Sequence, residues 1–234
     1  PLYGKERAVT GCVATAMAQI MRYHAFPSRG AGEVTYTDSK GAKTINLANY
    51  DFDWDQILNT YKYGKYTDAQ GDAIAKVMLA CGASLNMNYG VDGSGTFTEL
   101  AAQAFKTNFG YSSKVTSYDA TGYDNPDELV EEDFGKEIRR QHRLGLPVIF
   151  AGKPASGKSG HAFVIDGYKV INGMYYYHVN WGWSGMWNGY YLILNLKPED
   201  ENYSGCYSVP GYGSDPGRLW RKGRGSRCYR GTRC

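Results

Sequence analysis

Residues 10–24 read TGCVATAMAQIMRYH, and the apolar residues of this stretch recur at helical spacing. The pattern predicts a helix from Cys12 to His24, with Thr10 as its N-cap. Cys12 would then lie in the first helical turn, where unpaired backbone N–H groups and the positive end of the helix dipole favour a thiolate. Cysteines at such positions are either nucleophiles or core residues, so the choice depends on the rest of the chain.

Two stretches far downstream supply a histidine and an asparagine. Residues 159–168 read SGHAFVIDGY, and residues 178–185 read HVNWGWSG. A cysteine, a histidine and an asparagine in this order are typical of a nucleophile, a base and a group that orients the base. We therefore predict these roles for Cys12, His161 and Asn180. Trp181 would cover the bond between Asn180 and His161 and exclude water from it.

Three other histidines are alternatives to His161 as the base. His24 would end the first helix, and His142 lies among arginines on a predicted solvated face. His178 is the strongest alternative, because alternate residues of a strand share a face and His178 would lie beside Asn180. We favour His161 because Asn180 is expected to orient the base from a separate strand.

The distribution of periodic patterns predicts the fold class. The chain has 234 residues, of which 42% are hydrophobic and 15% aromatic, enough for a substantial core. Helical spacing dominates the first half, with helices predicted around 12–24, 54–61, 74–81 and 97–105 and after Pro126, and short strands around 34–37 and 43–46. Short β-rich runs dominate the second half, at 147–151, 161–168, 174–181 and 189–195. We predict an α+β fold of two lobes, with Cys12 on the helical lobe, His161 and Asn180 on an antiparallel β lobe, and the site between them.

The positive charge of the chain is concentrated near its end. The net charge is +3, yet residues 218–233 hold six arginines, one lysine and no acid, so the remainder carries −4, the difference between +3 and +7. We divide the chain into a catalytic domain at 1–210 and an atypical basic tail at 211–234, which we expect to be disordered. Such a tail would bind polyanions in a salt-dependent way. No nucleic-acid-reading motif accompanies it, so we expect no nucleic-acid partner.

Composition also argues against several other classes of protein. The five cysteines are too sparse and irregular for a disulfide framework, and Cys81 continues the apolar face of a helix, which predicts a buried, inert thiol. No closely spaced cysteine and histidine pairs occur, so we expect neither a metal nor another cofactor. No run of 18 apolar residues occurs, so we expect no membrane span.

Three segments carry a resemblance to a known family. Residues 10–24, 160–167 and 178–185 resemble the motifs of the streptopain and interpain family of secreted bacterial papain-like cysteine peptidases, and residues 87–90, MNYG, are also similar. The similarity runs from about residue 8 to about residue 196. The resemblance implies a papain-like fold in which Cys12 is the nucleophile, His161 the base, Asn180 the orienting residue and Trp181 its shield.

The resemblance further implies positions that contact the substrate. Ser94 lies in a stretch similar to one that lines the substrate cleft of the family, and Gly160 directly precedes His161 in the matching motif. It implies protein or peptide substrates, with a bulky apolar side chain preferred just before the residue at the cleaved bond. It also implies a zymogen made by a bacterium and located outside the cell or at its surface.

Two features of the family are not found in this chain. Its members carry an oxyanion-hole glutamine upstream of the cysteine and an inhibitory N-terminal pro-segment, whereas this chain begins at Pro1, so we interpret it as a mature product or a fragment. Gln19 lies downstream of Cys12 and is not expected to replace that glutamine. The backbone N–H of Cys12 remains as one oxyanion donor, and loss of another costs about 10²–10³ in rate.

The leading functional hypothesis is a thiol-dependent endopeptidase that works through an acyl-enzyme. Three alternatives stay open. The same residues could transfer the acyl group to an amine, as papain-like transglutaminases do. A catalytically impaired papain-like protein could serve as a peptide- or glycan-binding module. The basic tail could bind nucleic acid, which the sequence favours least.

Overall fold

The computed structural model describes residues 1–3, 5–119, 134–152, 160–193, 196 and 208–212. The helices in this part of the chain are α1 at Cys12–His24, α2 at Asp68–Ser84, α3 at Leu100–Thr107 and α4 at Lys136–Arg143, with a short 3-10 helix at Leu47–Asn49. The strands are β1 at Leu2–Tyr3, β2 at Glu6–Arg7, β3 at Glu33–Asp38, β4 at Gly41–Asn46, β5 at Val115–Asp119, β6 at Val148–Gly152, β7 at His161–Ile171, β8 at Met174–Asn180, β9 at Gly189–Tyr191 and β10 at Ser208–Tyr212.

Within the described residues, the main sheet has six strands in the order β5, β10, β6, β7, β8 and β9, and each pair of neighbours is antiparallel. Two small antiparallel sheets, β1 with β2 and β3 with β4, accompany it. The mixture of helices and antiparallel strands confirms the predicted α+β composition. Successive residues of a strand point to opposite faces of the sheet. Each face of this sheet can therefore be covered by its own layer of packed side chains.

Both faces of β6 and of the first half of β7 are largely buried. In β7, Ala162 and Val164 pack into a cluster with the apolar residues of α1, α2 and α3. The intervening Phe163 and Ile165 pack into a second cluster with Ile138 of α4 and with residues of β8. This period of two explains why β7 begins as a continuous apolar run, since neither face meets solvent there.

Helix α1 is the central helix of the first cluster. Its small and apolar residues are buried along most of its length, and the helix packs against β7. The prediction that Thr10 caps this helix is wrong, because the N-cap is Gly11. Gly11 has φ +89°, a left-handed conformation that glycine adopts without steric cost and threonine does not.

Most predicted elements correspond to observed ones, but two differ. The helix predicted at 54–61 is wrong, because this segment makes only turns there. Its aromatic side chains instead bond to distant backbone, with Trp54 Nε1 donating to Pro27 O at 2.7 Å and the Tyr61 hydroxyl to Gln70 O at 3.0 Å. Most of the helix predicted after Pro126 lies outside the described residues, and α4 begins at Lys136.

Strand β10 bears on the predicted boundary at residue 210. It runs from Ser208 to Tyr212 and pairs with β5 along its whole length, and the division of the chain at residue 210 stays a prediction. The arginine-rich part of the predicted tail, 218–233, lies outside the described residues. Within the described ranges, no helix combines the length and apolar character that a membrane span requires.

Candidate active site

Cys12 is the first residue of α1 and is half-buried at the edge of the first apolar cluster. The carbonyl oxygen of the N-cap residue Gly11 accepts two hydrogen bonds from Thr15, from its backbone N at 3.1 Å and its hydroxyl at 3.0 Å. No acidic side chain lies in the first turn. The helix therefore presents its positive end around the sulfur atom, as the sequence predicts.

The chain leading into α1 is held by the loop that contains Ser94. The Ser94 hydroxyl donates to Val9 O at 2.6 Å and accepts from Gly90 N at 3.2 Å, and Val9 N donates to Gly90 O at 3.1 Å. A Cβ atom added to Gly11 would lie 2.8 Å from Met87 Cε and 3.2 Å from Ser94 O. The Ser94 backbone thus packs beside the residue that precedes Cys12, while its hydroxyl is occupied within the protein.

His161 is the first residue of β7 and lies opposite Gly152 of β6. Its Nε2 atom lies 2.8 Å from the backbone carbonyl oxygen of Trp181. A carbonyl only accepts hydrogen bonds, so Nε2 carries the proton and Nδ1 is the acceptor in the neutral ring. Burial lowers the pKa of His161 below its ordinary value, and the bond to Trp181 opposes that effect only in part. The ring is therefore neutral and ready to accept a proton at neutral pH.

Aromatic rings enclose the imidazole of His161. Trp183 stacks on it with the ring centroids 4.4 Å apart and the planes inclined by 24°. The centroids of Trp181 and Phe163 lie 6.2 and 6.0 Å from that of His161. Trp181 has no exposed surface. The rings exclude water from one side of the imidazole, which strengthens its hydrogen bonds.

Asn180 ends β8 and bonds to both neighbouring parts of the site. Its Oδ1 atom accepts hydrogen bonds from Gln19 Nε2 of α1 and from Gly182 N, each at 3.1 Å. The acceptor that faces His161 Nε2 is the carbonyl of the next residue, Trp181. The role of Asn180 as the orienting residue stays a prediction, and its described bonds fix the segment 180–182 that carries the acceptor.

The segment 180–182 connects α1 to His161. A Cβ atom added to Gly182 would lie 3.1 Å from Thr15 Cγ2, so the backbone of the segment lies directly against the helix. Thr15 follows Cys12 by three residues and therefore occupies nearly the same face of α1. One short segment thus contacts the helix that begins with Cys12 and, through its Trp181 carbonyl, bonds to the imidazole.

The remaining predicted site residue is Gly160, and the alternative histidines are His24, His142 and His178. Gly160 is exposed and directly precedes His161. The ring of His24 bonds to the Tyr111 hydroxyl at 3.2 Å, and that of His142 lies 3.0 Å from Ile165 O. The Nδ1 atom of His178 is hydrogen-bonded to Asp166 Oδ1. Each of these three rings therefore contacts a residue outside the segment 180–182, whereas the ring of His161 bonds to that segment.

Sequence reasoning missed three contributors to this site. Trp183 belongs to the pattern WGW at 181–183, and the second tryptophan of that pattern was the available signal. The sequence analysis assigns Gln19 no role in the site, whereas its amide bonds to Asn180. The carbonyl of Trp181 has no side-chain signature, so no sequence pattern could have identified it. Among the residues that the structure describes, no group of histidine, cysteine or acidic side chains is arranged to hold a metal ion.

Several known proteins resemble this chain in sequence. Streptopain of Streptococcus pyogenes is 35% identical over 201 residues, a match that covers 82% of this chain and 48% of streptopain. The thiol protease/hemagglutinin PrtT of Porphyromonas gingivalis is 33% identical over 196 residues, covering 82% of this chain and 21% of that protein. The chain therefore spans about half the length of streptopain and about a fifth of the length of PrtT.

Two solved structures from Prevotella intermedia share the fold. Active wild-type interpain A cysteine protease matches with a TM-score of 0.78 and 33% identity, over 91% of this chain and 87% of that one. A prointerpain A fragment matches with a TM-score of 0.72 and 33% identity, over 92% of this chain and 67% of that one. PrtT is named a thiol protease and interpain A a cysteine protease, so these relatives belong to the class of the cysteine peptidases.

The particular family follows from the match to a family model. The model of the peptidase C10 family matches residues 2–191, and the chain belongs to that family. The resemblance to streptopain and interpain that the motifs carry is confirmed.

Proposed function

We propose that the protein is a thiol-dependent endopeptidase that cleaves proteins or peptides with Cys12 as nucleophile and His161 as base. The observation that carries the proposal is the segment 180–182, which packs against α1 three residues beyond Cys12 and bonds to His161 through the Trp181 carbonyl. The proposal includes a papain-like division into a helical lobe and a β lobe, with the site at their boundary.

In the first step, the Cys12 thiol transfers its proton to Nδ1 of His161, and the thiolate attacks the peptide carbonyl carbon. The Nε2 proton remains bonded to the Trp181 carbonyl, which holds the ring and stabilises the imidazolium. The imidazolium then protonates the leaving amine as the carbon–nitrogen bond breaks, which leaves a thioester on Cys12. The C-terminal part of the substrate departs at this stage.

In the second step, His161 removes a proton from water, and the hydroxide attacks the thioester carbon. The carbon–sulfur bond breaks, the carboxylic acid departs, and the sulfur regains its proton. In the proposed mechanism, the backbone N–H of Cys12, at the start of α1, donates to the oxyanion in both steps. Asn180 fixes the segment that carries the Trp181 carbonyl, and Trp181 shields the bond from water.

Ser94 and Gly160 are proposed to contact the substrate. The Ser94 hydroxyl is occupied by Val9 and Gly90, so its contribution to binding is made by the backbone beside Gly11. Gly160 is exposed and has no side chain, which leaves room for a substrate backbone next to His161.

The relatives also support a secreted bacterial protein, for which an inhibitory pro-segment would be the natural partner.

Casein hydrolysis tests the proposal. We expect Cys12→Ala and His161→Ala each to lower the rate by more than about 10³-fold, because residues that act as one catalytic unit are separately indispensable. Circular dichroism and urea unfolding of the same variants show whether the fold is retained. A Cys12→Ala variant that cleaves casein as fast as the parent would exclude Cys12 as the nucleophile. A parent that does not cleave casein would favour the alternative, a peptide- or glycan-binding module.

A further inference from the structure

A loop next to His161 presents two exposed apolar side chains. Residues 182–188 make two successive turns, in which Met186 N donates to Trp183 O at 2.9 Å and Asn188 N to Gly185 O at 3.4 Å. Met186 is 56% exposed, and Trp187 is 40% exposed. Adjacent apolar side chains exposed beside a reaction site are a feature of binding surfaces.

Trp187 is connected to His161 through a single intervening ring. Trp183 stacks on His161 at a centroid distance of 4.4 Å, and Trp187 meets Trp183 edge to face at 5.6 Å with an interplanar angle of 85°. The centroid of Trp187 therefore lies no more than about 10 Å from that of His161, the sum of the two distances. An extended peptide covers that length with about three residues.

The loop is fixed by bonds within the protein. Asn188 Oδ1 accepts from Trp181 N at 3.0 Å, and the Tyr191 hydroxyl donates to the carbonyl oxygen of Trp187. Three further residues of the loop, Gly182, Ser184 and Gly185, share the left-handed backbone conformation of Trp187. A surface that is ordered before the substrate arrives loses little conformational entropy on binding.

We propose that Met186 and Trp187 bind the part of the substrate that follows the cleaved bond and select apolar or aromatic side chains there. The inference rests on the proposed peptidase function, in which His161 protonates the leaving amine. The amine and the residues after it must therefore lie on the His161 side of the site, within reach of Trp187, whose ring contacts the Trp183 ring that stacks on His161.

Partitioning of the acyl-enzyme between water and an added amine isolates this contact. A peptide ester forms the thioester on Cys12, and a dipeptide amide then competes with water for it. The acceptor nitrogen forms an amide bond with the acyl carbon, the carbon–sulfur bond breaks, and the amine proton passes to His161. The ratio of aminolysis to hydrolysis compares two fates of one intermediate, so differences in folding or acylation cancel.

We expect the parent to transfer its acyl group to leucyl-phenylalanine amide about tenfold more often than to glycyl-glycine amide, the selectivity that one apolar contact gives in an enzyme pocket. Trp187→Asn should remove this preference, and Trp187→Phe should retain most of it. Asparagine is chosen because it tolerates the φ of +57° at this position. Tyr63→Ala, which truncates a fully exposed aromatic residue outside this loop, is the matched control and should leave the preference intact.

Two results would overturn the inference while leaving the peptidase function standing. One is equal use of both acceptors by a parent that hydrolyses the ester. The other is a preference that Trp187→Asn leaves unchanged. A parent that shows no Cys12-dependent ester turnover would instead overturn the proposed function, and the inference with it.

Discussion

The Nε2 atom of His161 is bonded to the backbone carbonyl oxygen of Trp181 at 2.8 Å. The side chain of the preceding residue, Asn180, bonds to Gln19 and to Gly182 and so fixes the backbone on either side of that carbonyl. A backbone acceptor cannot be removed by substitution. The orientation of the imidazole therefore depends on how firmly the segment 180–182 is held against α1.

This arrangement predicts that Gln19 and Asn180 act together. We expect Gln19→Ala and Asn180→Ala each to lower kcat/KM, because each loosens the segment that carries the Trp181 carbonyl. In a double-mutant cycle measured by urea unfolding, their coupling should be about 0.5–1.5 kcal/mol, the usual net contribution of one hydrogen bond. If Asn180→Ala impaired activity while Gln19→Ala did not, and the coupling were zero, Asn180 would instead act directly on His161.

Substitutions of Gly11 and Gly41 should have different effects. Both residues have positive φ, +89° and +96°, so alanine adds a similar backbone strain at either position. A Cβ atom at Gly11 would collide with Met87 Cε at 2.8 Å, whereas none of the described atoms lies within 4 Å of one at Gly41. We expect Gly11→Ala to cost about 1–3 kcal/mol more in the free energy of unfolding than Gly41→Ala.

The same pair of variants reports on activity. Gly11→Ala should also lower kcat/KM, since Gly11 precedes the proposed nucleophile and packs against the Ser94 loop, while Gly41→Ala should retain the activity of the parent. Equal stability and equal activity in the two variants would show that the close packing of Gly11 has no role.

Alkylation should distinguish Cys12 from Cys81. Cys81 has no exposed surface, its sulfur lies 3.5 Å from Met21 Sδ, and burial raises the pKa of its thiol. Cys12 is half-buried at the start of a helix. We expect iodoacetamide to modify Cys12 in the native protein and to modify Cys81 only after urea is added, as measured by mass spectrometry of the two peptides. Rapid native labelling of Cys81 would contradict the packing of α1 against α2.

Stability should fall on mild acidification. Burial lowers the pKa of His24, His142 and His161 below the ordinary value near 6.5. The unfolded chain therefore binds protons at a higher pH than the folded protein, and the free energy of unfolding decreases as the pH falls through 6.5 towards the folded pKa values. The decrease is at most about 1.4 kcal/mol per pH unit for each proton involved.

Urea unfolding at pH 7.5 and pH 5.5 measures this effect, and His142→Gln provides the control. Glutamine can still donate to the Ile165 carbonyl but does not titrate, so the variant should lose less stability than the parent between the two pH values. An identical loss in the parent and in His142→Gln would show that His142 does not contribute.

The sequence predicted elements where local pattern and tertiary packing agree. The helix from Cys12 to His24 and the strand that begins at His161 have apolar runs that the two clusters bury, and both were anticipated. The segment 54–61 has helical spacing, but Trp54 and Tyr61 bond to the distant residues Pro27 and Gln70. Such contacts form only when separate parts of the chain are folded together, so they produce no periodic pattern in the sequence.

The same distinction holds at the site. Residue types and their order identified Cys12, His161 and Asn180 as candidates, since side-chain chemistry is visible in a sequence. The bond from His161 to the Trp181 carbonyl and the contact of Gly182 with Thr15 depend on backbone position, which only the structure supplies.

The central sheet separates two apolar clusters, and the proposed catalytic pair draws on both. Cys12 packs against the cluster formed by α1, α2 and α3, whereas the rings around His161 include Phe163 and Trp181 of the other. Neither cluster alone can position the Cys12 sulfur and the His161 imidazole relative to each other. If the two residues act together as proposed, catalysis requires both layers to be intact, and mild denaturation that loosens one layer should abolish activity before helix content is lost.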